Sequence, residues 1–170
     1  NNGNDSETKE LAYGEKWEGK PYRAGYAFAG WYTDAEFKKA FDGVVPDRDI
    51  TIYAKWDVQS VNYTVKHCLQ NANDDVYSLG AQENFNADTD TVVTPEVKNY
   101  EGFTAPEKQQ VTVEGDGTTT VIYRYTRNVH TLTLKNYDGK TDKTVEARYE
   151  MSIPKPTRAG YAFAGWYTDA

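Results

Sequence analysis

Arg23–Ala35 reads RAGYAFAGWYTDA, and Arg158–Ala170 reads the same thirteen residues, 135 positions later. The match extends upstream as Lys-Pro-x-Arg-Ala-Gly, with Tyr22 in one copy and Thr157 in the other. Identity of this length points to internal duplication, the mark of a repeat architecture. The first copy continues through Ile50-Thr-Ile-Tyr-Ala-Lys-Trp56; the second runs only to Ala170. The second is preceded by His130-Thr-Leu-Thr-Leu-Lys135, which the first lacks. Aligning the two places Asn4-Asp5 near Asp138-Gly139. Each copy is therefore incomplete, and in a complementary way.

Working outward, His130–Lys135 alternates apolar and polar residues, as a half-buried strand does. Asp138-Gly139 is a turn signal and Lys143–Arg148 is expected to pair back. Tyr161–Phe163 reads as a further strand running into Gly165, where a bulge or close backbone approach is expected. Asp34–Phe41 predicts one short helix, with Asp34 as N-cap and Phe37 and Phe41 on one face. Ile50–Trp56 reads as a strand. Between the copies, strands are expected at Val61–Leu69, Val76–Glu83, Val97–Tyr100, Gln110–Glu114 and Thr119–Thr126. Gly115-Asp116-Gly117 is a hairpin signal between the last two.

The chain of 170 residues thus divides into segments 1–57, 58–128 and 129–170, with formal charges of −3, −5 and +1. Linkers are nearly absent, which predicts a stiff string. The fold class expected is α+β and β-rich. A sheet with a single helix in some 65–70 residues fits tandem β-grasp (ubiquitin-like) modules in an elongated array.

Composition excludes several classes of function. The net charge of −7 argues against nucleic-acid or anionic-membrane partners. No apolar run approaches the roughly 18 residues of a membrane span. The polar start at Asn1 carries no signal peptide, so the chain reads as an excised piece. A single cysteine, Cys68, forbids an intrachain disulfide.

The segment 1–57 resembles the Listeria–Bacteroides repeat, or internalin-type B-repeat. The resemblance is carried by Tyr13-Gly-Glu-Lys16, Pro21, Gly25-Tyr26, Phe28-Ala-Gly-Trp-Tyr-Thr-Asp34, Phe41-Asp42 and Ile52-Tyr-Ala-Lys-Trp56. The segment 58–128 resembles a mucin-binding-protein (MucBP) repeat, through Tyr63-Thr-Val-Lys-His67, Leu69-Gln70, Thr94-Pro95, Tyr100-Glu-Gly-Phe103, Pro106, Val111-Thr-Val113 and Val121–Arg127. Cys68 stands where that family commonly has an aromatic residue. The resemblances imply secreted, wall-associated bacterial surface proteins in which such repeats act as stalks, spacers and adhesive units. They carry no catalytic residues and no cofactor.

The residues agree with a non-enzymatic reading. His67 and Cys68 are neighbours in an expected strand and point to opposite faces, so they form no dyad. His67 and His130 are too far apart in sequence for a zinc motif. The acidic groups at Asn73–Asp75, Asp88–Asp90 and Asp47–Asp49 lack EF-hand spacing and read as solvated turns. Tryptophans in so small a unit belong in the core. Tyr32 and Tyr53 are the candidates for exposed ligand contact, and Tyr123 and Tyr125 share one face in the middle segment as a second candidate pair. The expected partners are host glycans or glycoproteins. A dedicated module for mucin-type glycans is the alternative to a stalk. Because the spare strand His130–Lys135 is the one the first copy lacks, strand exchange with neighbouring molecules is a further expectation.

Overall fold

The computed structural model describes residues 6–139 and 141–168. Ten strands follow in chain order: β1 (Tyr26–Tyr32), β2 (Tyr53–Val58), β3 (Ser60–Gln70), β4 (Tyr77–Asp88), β5 (Val92–Val93), β6 (Phe103–Thr104), β7 (Val111–Thr112), β8 (Thr120–Arg127), β9 (Val129–Leu134) and β10 (Lys143–Arg148). The central sheet has the order β4-β3-β8-β6. Three two-stranded sheets accompany it, β1-β2, β5-β7 and β9-β10. The expectation of a β-rich chain holds. Its helical component does not, since the described residues contain no helix.

Grouped by proximity, the residues form two compact units. One comprises Asn1–Val65, Glu83–Pro95 and Gln109–Val121; the other comprises Lys66–Gln82, Glu96–Lys108 and Ile122–Ala170. Each of β3, β4 and β8 contributes residues to both. This division runs through the middle segment and leaves each sequence junction, near 57/58 and near 128/129, inside one unit.

In the first unit, β1 and β2 pair antiparallel, from Tyr26 opposite Val58 to Tyr32 opposite Tyr53. The register slips between Phe28 and Gly30, where Gly30 takes φ 128°. This is the bulge expected from the second copy's Gly165, seen here at the equivalent glycine. The bulge turns Trp31 onto the face of buried Ala54. Phe28 packs edge-on against Trp31 at 5.4 Å and Trp56 at 5.5 Å, and Trp17 meets Trp31 at 6.1 Å. The Trp31 indole N–H donates to the Gly19 carbonyl at 2.7 Å. A core this small depends on large aromatic rings.

The predicted helix over Asp34–Phe41 is instead a chain reversal. Phe41 N–H donates to Trp31 O and Thr33 N–H to Lys39 O, so residues 39–41 return along the free edge of β1. A helix from residue 34 to 41 would carry the chain away from that edge. Phe37 sits at φ 56°, outside helical space. Asp34 caps as expected, but it caps a turn, accepting from the Lys38 and Lys39 amides at 3.1 and 2.7 Å.

Two further expectations change. Val97–Tyr100 forms no strand; its Lys98 amide instead donates to the Tyr125 hydroxyl. Gly115–Gly117 is a turn, closed by Gly117 N–H on Glu114 O, but it joins no hairpin: β7 pairs with β5 and β8 lies in the central sheet. The side chain of Asp116 holds the turn by accepting from the Thr118 amide and hydroxyl.

In the second unit, β9 and β10 form a regular hairpin from Val129 opposite Arg148 to Leu134 opposite Lys143. The expected strand at Tyr161–Phe163 is absent. Only an isolated bridge between Arg158 and Tyr161 remains. The same residues form β1 in the first copy, where β2 is present to pair with them. Strand formation here is decided by the availability of a partner edge, because an unpaired strand leaves its backbone groups without a ladder.

Candidate functional site: the two junctions

At the first junction the repeated block turns tightly, with Tyr26 N–H bonded to Arg23 O and Gly25 at φ 75°. The Arg23 guanidinium lies 3.7 Å from the centre of the Tyr26 ring. Both reach Asp90 of the middle segment: Tyr26 Oη donates to Asp90 Oδ2 at 2.5 Å and Arg23 Nη2 lies 3.5 Å from the same oxygen. That hydrogen bond to Asp90 raises the Tyr26 pKa above its ordinary value, with burial adding to it and Arg23 opposing it.

The backbone completes this junction. A Cβ on Gly25 would stand 2.1 Å from Thr89 Oγ1 and 2.4 Å from Gly115 Cα; one on Gly115 would stand 2.2 Å from Ala24 O. Gln59 N–H donates to Gly25 O, and Thr89 donates twice to Gln59 O through its amide and its hydroxyl. Only glycine satisfies both the positive φ and the closeness at Gly25.

At the second junction Arg127 is the organiser. Its side chain is 13% exposed. Nε donates to Gln70 O and Nη1 to Tyr149 O, each at 2.7 Å, while Nη1 also pairs with Glu150 at 2.8 Å. The guanidinium lies 4.7 Å from the Phe103 ring centre and 6.0 Å from that of Tyr149. Gly102, at φ 77°, admits the Tyr149 ring so closely that a Cβ would stand 2.1 Å from it. Tyr149 N–H donates to Asn128 O and Asn128 N–H to Gly102 O. Arg148 reaches Asp74 O at 2.5 Å and pairs with Asp75. A planar guanidinium bonding two carbonyls at fixed angles sets an orientation that a flexible ammonium would not.

Next to this junction lies the core of the middle segment. His67 Nδ1 and Tyr125 Oη are 2.7 Å apart, and Lys98 N–H donates to that hydroxyl at 2.9 Å. Tyr123 and Tyr125 are 0% exposed. This corrects the expectation that they contact ligand: they lie on the buried face with Val65 and His67 and have no surface to offer. Cys68 is half-buried and free, on the strand's opposite face.

Tyr32 and Tyr53 are brought together. They are cross-strand partners, which places them on the same face of β1-β2, with Phe37 edge-on to Tyr32 at 5.6 Å and Lys55 Nζ 5.6 Å from its ring centre. Both tyrosines are half-buried. Sequence placed Asp90 in a solvated acidic turn and Arg127 at the end of a repeat motif, assigned neither a junction role, and did not name Tyr149. The available signal was glycine beside bulk: Gly25 and Gly102 have no turn-type dipeptide that requires them. Among the described residues no cluster of three His, Cys, Asp or Glu side chains is placed to hold a metal ion, and no helix is long and apolar enough to cross a membrane.

Comparison with known proteins places these elements. The family model of the Listeria-Bacteroides repeat domain matches residues 1–55 and 130–170, together more than half of the chain. A protein of Evansella cellulosilytica named "Putative Gly-rich membrane protein" is 25% identical over 172 aligned positions, covering 88% of this chain. The chain spans 18% of the length of that relative. No solved structure matches.

Proposed function

The chain belongs to the Listeria-Bacteroides repeat family, which is found in cell-surface proteins, and on that premise we propose that it is a non-enzymatic spacer segment of a bacterial surface adhesin, secreted and wall-associated. The observation that carries the reading is the pair of junctions. Freely jointed beads need no Gly25–Gly115 backbone contact and no buried Arg127 fork. Both are what a stalk requires at the places where its segments meet. The middle segment is read as a MucBP-like module and each complete flanking repeat as a β-grasp-like sheet.

An adhesive contribution is assigned to the face bearing Tyr32, Phe37, Tyr53 and Lys55. Half-buried rings beside a cation suit stacking on sugar rings and host glycoproteins. Titration of the full 170-residue chain with mucin separates the two roles. A pure spacer gives no saturable binding. Binding that is saturable and lost in Tyr32→Ala with Tyr53→Ala assigns adhesion to this face. Binding that survives this double substitution points to the middle segment as a dedicated glycan module. The spacer reading fails if the chain extends freely when pulled from its ends at low force, before any cooperative unfolding step.

A further inference from the structure

The chain enters the middle segment through one strand and leaves it through that strand's neighbour. β3 begins at Ser60, β8 ends at Arg127, and the two are adjacent in the order β4-β3-β8-β6. Their contacts ascend together along both strands. Thr64 N–H donates to Thr119 O at 2.9 Å. The His67 ring lies 5.7 Å from those of Tyr123 and Tyr125. At the far end the Arg127 amide donates to Gln70 Oε1 at 3.0 Å, beside the Nε bond to Gln70 O. Later residues of β3 meet later residues of β8, so the two strands run parallel.

In a parallel pair the start of one strand and the end of the other lie at opposite ends of the ladder. Tension carried along the chain enters at Ser60 and leaves at Arg127. It therefore acts along the strands and falls on all the cross-strand bonds at once. Tension applied at one end of a pair instead opens its bonds one after another. Side chains reinforce the pair against sliding. Val65, His67, Val121, Tyr123 and Tyr125 are buried, and His67 Nδ1 sits 2.7 Å from Tyr125 Oη across the two strands.

We propose that β3 and β8 form a tension-bearing clamp, which holds until the two strands slide past each other in one step. This deepens the spacer reading, on which it rests, by naming the element that resists pulling. The junctions deliver tension to the ends of that element. Gln59 N–H is bonded to Gly25 O just before β3, and Arg127, the last residue of β8, binds Tyr149 O.

Single-molecule pulling of the full 170-residue chain in two directions tests the clamp. Handles are attached through introduced cysteines, with the native thiol removed by Cys68→Ser. Asn62→Cys is combined either with Thr126→Cys, near the far end of β8, or with Thr118→Cys, whose neighbour Gly117 faces Asn62: a Cβ there would lie 3.7 Å from Asn62 O. All three positions are exposed, so the substitutions leave the buried packing intact. The first pair of handles pulls along the strands, and the second parts them from one end. Forced unfolding follows the barrier along the pulled direction, so at equal loading rate the first is expected to rupture in one step at least about twofold higher in force than the second. Equal forces, or a lower force along the strands, overturn the clamp. A cooperative step of equal height in both directions removes the clamp alone and leaves the spacer reading standing. Free extension with no cooperative step in either direction overturns both.

Discussion

Gly25 and Gly115 meet backbone to backbone: a side-chain carbon on Gly25 would lie 2.4 Å from the Gly115 Cα. The same glycine of the duplicated block, Gly160, faces open space. In this structure the same turn thus meets a close neighbour at Gly25 and nothing within 4 Å at Gly160. The difference yields a direct comparison. Gly25→Ala combines a left-handed φ with a steric clash and is expected to cost about 2–5 kcal/mol. Gly160→Ala carries the conformational cost alone, about 1–2 kcal/mol. Urea unfolding of the two variants checks the ranking; equal losses would remove the joint.

Arg127→Ala leaves the Gln70 and Tyr149 carbonyls without their donor and is expected to destabilise by about 2–4 kcal/mol. Arg127→Lys restores charge but not the fork, so it recovers only part of the loss. Hydrogen exchange at the Tyr149 amide, which is bonded to Asn128 O, reports the junction directly. Exchange that stays as slow as in the parent in both variants would show that Arg127 does not hold it.

The carboxylates of Asp34, Asp116 and Asp142 sit below their ordinary range. Asp34 is held there by the Lys38 amide, Asp116 by the Thr118 amide, and Asp142 by the Lys135 ammonium. A depressed carboxylate contributes stability that is present above the unfolded value of about 3.9 and lost as pH falls through its folded value. Stability is therefore expected to be flat from neutral pH down to about 5 and to fall below about 4. Asp34→Asn with Asp116→Asn flattens that acid limb, which acid titration followed by circular dichroism measures.

Tyr26 behaves in the opposite sense. Its raised pKa, caused first by donation to Asp90, favours the protonated phenol in the fold. That contribution is complete below the unfolded value of about 10 and disappears as pH rises through the folded value. Tyr26→Phe is thus expected to be less stable than the parent at pH 7, with the gap narrowing above about pH 10. Denaturant melts at the two pH values give the comparison; a gap independent of pH would contradict it.

Much of this fold was legible because alternation and burial coincide along β3 and β8, whereas β9 alternates in sequence yet is exposed up to Leu134. His130–Lys135, Lys143–Arg148, Val61–Leu69 and Thr119–Thr126 all became strands near their expected limits. Asp34 gave a correct capping signal and a wrong element. Nothing local shows that residues 39–41 return to the edge of β1. Tyr161–Phe163 has the composition of a strand but lacks the partner its twin has. Tyr123 and Tyr125 were expected to share a face, yet that this face is buried depends on distant residues such as Lys98 and Tyr100 meeting Tyr125. The junctions were hidden for a related reason. Arg127 and Asp90 look like surface charges until residues distant in sequence are placed beside them.

The central claim is that the junctions fix orientation. Residual dipolar couplings from amides of β1-β2 and of Glu83–Pro95 with Gln109–Val121 test it most directly, because these residues lie in one compact unit across the first junction. The account predicts one common alignment tensor for the two sets, splitting into two in Gly25→Ala. Two independent tensors in the unaltered chain would contradict it.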